Sequence, residues 1–222
     1  IVVIAFFTWL FMAGQWTKEE RKRLIVIVVL FAGAAVFWSA FEQAASTLNL
    51  FAAQNTRNSI FGWTFPSSWF QSVNALMIII FAPVFAWIWI SLGKRDPSSP
   101  AKFAFGLVSV GLGFVVMVGA AQASANGVLV SPMWLVLTYL LHTIGELSLS
   151  PVGLSSMTKL APDRVKGMMM GVWFLAASVG NLIAGGVLRF YADFTLPQVF
   201  GAVAAFAIIA GLVMFALVLP IK

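Results

Sequence analysis

Two glutamates lie inside long apolar segments, more than ten residues from any Lys or Arg. Glu42 lies in FWSAFEQAASTLN and Glu146 in HTIGELSLSP. A charged side chain at the centre of a membrane helix costs about 2.5–3.5 kcal/mol, so it normally faces a polar cavity or a partner. Each carboxylate therefore needs a positive group from elsewhere, or is protonated part of the time. Both glutamates are candidates for binding a cation or carrying a proton.

Helical spacing places further polar and aromatic residues on the faces of these glutamates, and on two other segments. Residues four, seven and eleven apart share one helix face. If the four segments form a bundle, their stripes line one polar cavity near mid-membrane. The stripes are Trp38, Ser46 and Asn49 with Glu42; Gln71 with Asn74; Tyr139, His142, Ser150 and Gly153 with Glu146; and Phe174, Ser178 and Asn181, bordered by Trp173.

A structural alternative exists for most members of these stripes. Asn, Gln and Ser in membrane helices often hydrogen-bond a neighbouring helix, which is as good an explanation as ligand binding for each one taken singly. Packing explains Trp38 and Trp173 as well as a pocket role does. His142 is the only histidine, and a structural hydrogen bond explains it best. The two glutamates are harder to explain by structure alone, because no basic residue lies at their depth.

Composition excludes most soluble and enzymatic classes. Of the 222 residues, 61% are hydrophobic and 9% are charged, whereas globular domains are about half apolar and about a quarter charged. There is no Cys, and the single His and scattered acids have no metal-ligand spacing. We therefore predict no catalytic residues, no metal and no cofactor. The net charge of +6 is typical of membrane-protein loops and does not indicate nucleic-acid binding.

The segments that carry these residues are long enough to cross a bilayer as helices. A spanning helix needs about 20 mostly apolar residues, and the alternating pattern of a β-barrel is absent. We predict an all-α integral membrane protein with six spans, near 24–52, 69–92, 103–123, 132–158, 167–190 and 197–220.

The basic residues of the connectors divide unequally between the two sides of the membrane. If all six segments cross, only Arg57 and Arg189 fall on one side, and the remaining 11 of the 13 Lys and Arg fall on the other. Basic loops stay in the cytoplasm, so the C-terminus is predicted to be cytoplasmic. The 11 are Lys18, Arg21, Lys22, Arg23, Lys94, Arg95, Lys102, Lys159, Arg164, Lys166 and Lys222.

The first apolar run, 1–14, is too short to span a bilayer and lacks the features of a signal peptide. We interpret it as the end of a preceding transmembrane helix. A cytoplasmic charged linker then covers 15–23, and a six-helix bundle covers 24–222. This organisation predicts a fragment of a longer protein.

Four stretches resemble one family. FWSAFEQAASTLNLFA, PSSWFQSVNALMIIIFAPVFAWIW, GELSLSPVGLSSMTKLAP and GMMMGVWFLAASVGN are similar to the proton-dependent oligopeptide transporters, a branch of the major facilitator superfamily. The resemblance covers 18–222 and implies the C-terminal six-helix half of such a protein. It also implies that 1–14 ends the extra helix pair of bacterial members. Ala44 departs from the Gly of many relatives.

The resemblance implies roles for individual residues. Glu42 resembles the proton-coupling acid, whose usual partner is a Lys of the N-terminal half. Glu146 resembles the acid that pairs with the α-amino group of the peptide, and Asn74 helps to hold that amino end. The residues that resemble the lining of the side-chain pocket are Trp38, Trp173, Phe174 and Ser178.

Residues and resemblance together predict proton-coupled symport of di- and tripeptides by alternating access in a bacterial cytoplasmic (inner) membrane. The predicted partners are a small peptide, protons as the coupling ion, the lipid bilayer and an N-terminal six-helix half. Two alternatives stay open. One is a major facilitator transporter of another solute, such as a drug, nitrate or sugar, because fold does not fix substrate. The other is a structural six-helix membrane protein.

Overall fold

Long helices make up most of the chain. The computed structural model describes residues 2–60 and 62–218, and six helical segments within them are long and apolar enough to cross a membrane. This confirms the predicted all-α bundle of six spans. The helices are α1 (Val2–Ala13), α2 (Lys18–Phe41), α3 (Thr47–Asn55), α4 (Trp69–Leu92), α5 (Ser99–Ala123), α6 (Met133–Leu160), α7 (Lys166–Val187) and α8 (Leu196–Ala216), and a short hairpin joins β1 (Ser59–Ile60) to β2 (Trp63–Thr64).

The observed helix ends follow local capping signals more closely than the charge pattern. Residues 18–23, predicted as a charged linker, are the first turns of α2. Thr17 forms a capping box with Glu20, in which the Glu20 amide donates to Thr17 Oγ1 at 3.2 Å and the Thr17 amide donates to Glu20 Oε2 at 2.8 Å. The predicted span 69–92 coincides with α4, and the predicted end of the last span at 220 lies outside the described residues.

The first membrane span is interrupted in its middle. α2 ends at Phe41, a 3-10 turn covers Glu42–Ala45, and α3 begins at Thr47. Ser46 has φ −120° and ψ −96°, outside the helical region. The prediction of one continuous helix over 24–52 was therefore wrong at its centre. The inference that Ser46 shares a regular helix face with Glu42 fails for the same reason.

Contacts between connectors place the basic ones at one end of the bundle. Arg164, between α6 and α7, donates to the backbone oxygen of Gln15 at 3.1 Å. Ser156, near the end of α6, donates to Ser99 at the start of α5 at 2.8 Å. The connectors before α2, between α4 and α5, and between α6 and α7 thus share one end.

Two other connectors meet at the opposite end. The Arg57 amide donates to the Val130 carbonyl at 2.9 Å, which joins the segment after α3 to the segment before α6. The alternation of ends on which the charge argument depends is therefore present in the fold. Lys222, which that argument also counted, lies outside the described residues.

Two glycines bring α5 and α6 into backbone contact next to Glu146. A Cβ at Gly145 would lie 2.8 Å from the Gly106 carbonyl oxygen, and a Cβ at Gly106 would lie 2.9 Å from the Gly145 oxygen. Real Cβ atoms do not approach carbonyl oxygens this closely. The crossing therefore requires glycine on both helices, and it fixes the backbone that carries Glu146.

Replacing Gly145 with alanine is expected to destabilise the bundle by about 1–3 kcal/mol, because the added methyl group pushes two backbones apart. Gly201→Ala is the matched control, since its Cβ would meet only Val118 Cγ2, at 3.8 Å. Thermal unfolding in detergent should give a lower midpoint for Gly145→Ala and an unchanged or higher one for Gly201→Ala. Equal midpoints for the two variants would contradict the packing argument.

Candidate functional site

Glu146 is half-buried on α6 and is held by an amide from α4. Asn74 Nδ2 lies 3.1 Å from Glu146 Oε2 and 3.0 Å from Thr143 Oγ1. Thr143 in turn donates its hydroxyl proton to the Tyr139 carbonyl oxygen at 2.8 Å, so its lone pairs are free to accept from Asn74. Both N–H groups of the Asn74 amide are used in this way, and they fix the position of the carboxylate.

Glu42 is half-buried at the first position of the 3-10 turn. The side chain of Asn181, from α7, lies beside its carboxylate. Glu42 is also close enough to Glu146 for the two charges to interact. The ion pairs of the described residues all involve other acids, so neither glutamate has a Lys or Arg partner there.

A cavity of about 170 Å³ lies between α2, α4 and α6, at the break in the first span. It joins members of three of the predicted stripes in one place. Its lining consists of Phe41, Glu42, Ala44, Ala45, Gln71, Asn74, Tyr139 and His142. Three of the four predicted stripes therefore meet here, and Glu146 itself is not among the lining residues.

A larger cavity of about 470 Å³ lies elsewhere, between α2, α7 and α8. Its only polar side chains are Ser39 and Gln198, and the rest of its lining is aliphatic and aromatic. A zwitterionic ligand would lose its hydration there without gaining a charged partner. The smaller cavity beside Glu42 and Asn74 is the better candidate site.

The predicted pocket residues fall into two groups. Trp38 is half-buried, with its ring 5.3 Å from that of Phe41, which lines the cavity. Phe174 is 60% exposed, and Ser178 is exposed on the same face of α7 and donates to the Phe174 carbonyl at 3.0 Å. Phe174 and Ser178 are accessible from outside the bundle, and Trp38 is partly buried.

Trp173 belongs to the second group, because it is only 5% exposed. Its indole fills the space left by Gly153 on α6, and its ring centroid lies 6.4 Å from that of Phe103 on α5. The structure therefore places Trp173 in the packing between three helices and not at the cavity. Packing was the structural alternative for this residue.

The sequence from residue 2 to residue 205 matches the profile of the POT family. The chain belongs to the POT family. This confirms the resemblance to the proton-dependent oligopeptide transporters.

Similar proteins of this family cover nearly the whole chain. The chain is 45% identical to the peptide transporter YePEPT of Yersinia enterocolitica over 99% of its length, and 33% identical to a di-/tripeptide transporter of Lactococcus lactis over its whole length. A crystal structure of a POT peptide transporter in complex with alafosfalin superposes on all of it with a TM-score of 0.94 at 40% identity.

These comparisons also define how much of a family member the chain represents. It spans 44% and 45% of the lengths of the two relatives and 46% of the solved chain. The match to POT structures confirms the major-facilitator type of the six-helix bundle. The family consists of transporters, which agrees with the expectation that this chain is not an enzyme.

Two residues that hold the site together did not stand out in the sequence. Thr143 lies three positions before Glu146, so helical spacing alone could have included it. Gln43 follows Glu42 directly in the 3-10 turn, and its side chain is fully buried. Its structural role depends on the break in the first span, and no proline or glycine in the sequence predicts that break.

Proposed function

We propose that this chain forms one half of a proton-coupled symporter of di- and tripeptides, with the binding site for the peptide amino end at Glu146. The observation that carries the proposal is the Glu146 carboxylate. Asn74 holds it at 3.1 Å, and no Lys or Arg among the described residues pairs with it. An ammonium group from the cargo would supply the missing charge.

The physical reason is the cost of an unpaired charge away from water. A carboxylate with an uncompensated charge is strongly disfavoured there, whereas a charge-assisted hydrogen bond to an ammonium is roughly twice as strong as a neutral one. Di- and tripeptides, the substrates of the relative from Lactococcus lactis, carry such a group. Trp38, Phe174 and Ser178 are then the candidates of this half for contacts with peptide side chains.

Glu42 is the proposed proton-coupling residue. It lies beside the same cavity as Asn74, within interaction range of Glu146, and it has no Lys or Arg partner in the described part of the chain. A Lys of the N-terminal half would pair with it when it is charged, and protonation would release that pair. The proton is the only coupling ion that the proposal requires, and no cofactor takes part.

An N-terminal six-helix half is the proposed covering for the open faces of this bundle. α4 buries only Phe70, although it carries Gln71 and Asn74. On α7, a Cβ added at Gly167 or Gly171 would meet no atom of another described segment within 4 Å. Two such halves would rock about the central site. The basic residues of its connectors support a cytoplasmic location for the end with Arg164, in a bacterial inner membrane.

The direct test is uptake by the natural full-length protein in proteoliposomes. An inwardly directed proton gradient should drive accumulation of radiolabelled dialanine, and dissipating the gradient should stop it. Free alanine and N-acetylated dialanine should compete weakly, since the first lacks the length and the second lacks the amino charge. Competition by drugs, nitrate or sugars that exceeds competition by dipeptides would favour the alternative cargo.

Replacing Asn74 with leucine is expected to raise the KM for dipeptides by about tenfold, since it removes the amide that donates to Glu146 Oε2 and to Thr143 Oγ1. The maximal rate should change less, because the proton-coupling residue is retained. Gln122→Leu, a polar-to-apolar change at the far end of α5, serves as the control. Initial rates over a range of dipeptide concentrations check this result, and an unchanged KM would remove Asn74 from the site.

A further inference from the structure

Gln43 is fully buried, and both ends of its amide are occupied. Its Nε2 lies 3.1 Å from the Ser39 carbonyl oxygen and 3.4 Å from the Ala184 carbonyl oxygen. Its Oε1 accepts from Ser46 Oγ at 3.2 Å and from Thr47 Oγ1 at 2.9 Å. A glutamine has two donors and two acceptor positions, so this side chain uses its full capacity.

These bonds span the break in the first membrane span. Ser39 precedes the 3-10 turn, and Ser46 and Thr47 follow it. A 3-10 turn shifts backbone hydrogen bonds by one residue and leaves groups at its ends without a regular helical partner. The Gln43 amide supplies partners on both sides of the turn, which keeps the interrupted span in a defined shape without proline or glycine.

The fourth partner, Ala184, ties the break to α7. The two helices meet one turn away as well, because a Cβ on Gly180 would lie 2.5 Å from Trp38 Cβ and 2.9 Å from the Ser39 nitrogen. Between these two contact points, Asn181 lies beside the Glu42 carboxylate. The segment that carries Glu42 is thus attached to α7 at two levels.

We propose that Gln43 is a positioning residue for the Glu42 carboxylate: it fixes the 3-10 turn and makes that turn move together with α7. The proposal rests on the proposed function for the role of Glu42, but the attachment itself is a property of the fold. Without the amide, Glu42 and Asn181 lose their fixed relation, so protonation of Glu42 is no longer tied to movement of α7.

Gln43→Met is the informative substitution, because methionine has the same length and packs in buried sites but donates no hydrogen bond. Thr138→Val is the matched control. Thr138 is also fully buried, and its hydroxyl lies 2.9 Å from the Trp134 carbonyl of its own helix and 3.3 Å from the Gly113 carbonyl of α5, but it lies away from the break. Both variants remove buried hydrogen bonds and are expected to lower the unfolding temperature.

The coupling of peptide uptake to the proton gradient distinguishes a positioning role of Gln43 from a role in stability alone. In the natural full-length protein in proteoliposomes, we expect Gln43→Met to lower gradient-driven uptake relative to dipeptide exchange by about tenfold. Thr138→Val should leave this ratio at the wild-type value. A wild-type ratio in Gln43→Met, or an equal loss in Thr138→Val, would overturn the positioning role.

A second measurement does not depend on transport. The chain has no cysteine, so Ala45→Cys, in the exposed part of the turn, is a single reporter once cysteines elsewhere in the protein are replaced. Labelling by a water-soluble maleimide should become several-fold faster when Gln43→Met is added, and should stay unchanged with Thr138→Val. An unchanged labelling rate with Gln43→Met would refute the proposal that Gln43 fixes the turn. If the wild-type protein transported no dipeptide but Gln43→Met still raised the labelling rate, the proposed transport function would fail. The proposal that Gln43 fixes the turn would remain supported.

Discussion

Replacing Glu146 with glutamine is expected to lower dipeptide uptake at least about a hundredfold, in gradient-driven and exchange assays alike. The substitution keeps the size of the side chain, and its amide oxygen still accepts from Asn74, which donates to Glu146 Oε2 at 3.1 Å. What it removes is the negative charge. Losing a charge-assisted bond to an ammonium, and leaving that ammonium unpaired away from water, costs about 3 kcal/mol or more, which corresponds to that factor.

The selectivity of Glu146→Gln for free over N-acetylated dialanine tests the role of Glu146 more directly than the uptake rate does. The wild-type protein should prefer free dialanine strongly over its N-acetylated form, because only the free peptide brings a charge to Glu146. In Glu146→Gln this preference should shrink to nearly one, because the neutral glutamine no longer attracts the ammonium of the free peptide more strongly than the amide of the acetylated one. Glu20→Gln, which changes an acid at the start of α2, controls for a general loss of negative charge. A variant that still discriminated like the wild type would place the amino end of the peptide elsewhere.

The sequence alone predicted the elements of this site better than their local geometry. Six apolar segments and the distribution of Lys and Arg were enough for the number and alternation of spans, because a bilayer demands long apolar helices and sorts basic loops. α4 begins and ends where its sequence predicted. The start of α2 was missed, since its charged first turns looked like a linker until the Thr17 capping box was seen.

Packing between helices determines which side chains are exposed, and helical spacing within one segment did not predict this. Helical periodicity places Trp173 and Phe174 next to one another at the border of one stripe, yet Trp173 is 5% exposed and Phe174 is 60% exposed. The difference arises from Gly153 on another helix, which leaves room for the Trp173 indole. A contact of this kind joins residues 20 positions apart, and no single-helix pattern contains it.

The interruption at Glu42–Ala45 shows that backbone shape also depends on tertiary contacts that the local sequence pattern does not contain. Pro83 and Pro151 lie inside α4 and α6, and each of these helices continues past its proline. The one interrupted span has neither proline nor glycine at its break. Its shape depends on Gln43 and on a carbonyl of α7, which is 141 positions away. Tertiary hydrogen bonds thus override a locally favourable helix at the residue proposed to carry the proton.

Replacing Glu42 with glutamine is expected to have a different effect from the change at Glu146: dipeptide exchange continues, while concentrative uptake is lost. Glutamine resembles the protonated carboxyl in shape and neutrality but cannot release a proton. The variant should therefore bind and carry peptide in both directions without using the gradient. One coupled proton lets a pH difference of one unit support an accumulation of about tenfold, and this ratio should fall to about one.

Comparing the two glutamate variants in the same vesicles separates binding from coupling. Glu42 lines the cavity, and Glu146 lies within interaction range of it and accepts from Asn74 of the same lining, so an effect on general stability would weaken both activities in both variants. If Glu146 binds the peptide and Glu42 couples the proton, the two variants differ instead: Glu146→Gln loses exchange and uptake, and Glu42→Gln loses uptake alone. Wild-type accumulation in Glu42→Gln would move proton coupling to another acid. Loss of exchange in Glu42→Gln would make Glu42 part of the peptide site, because only a binding residue is needed when no gradient is present.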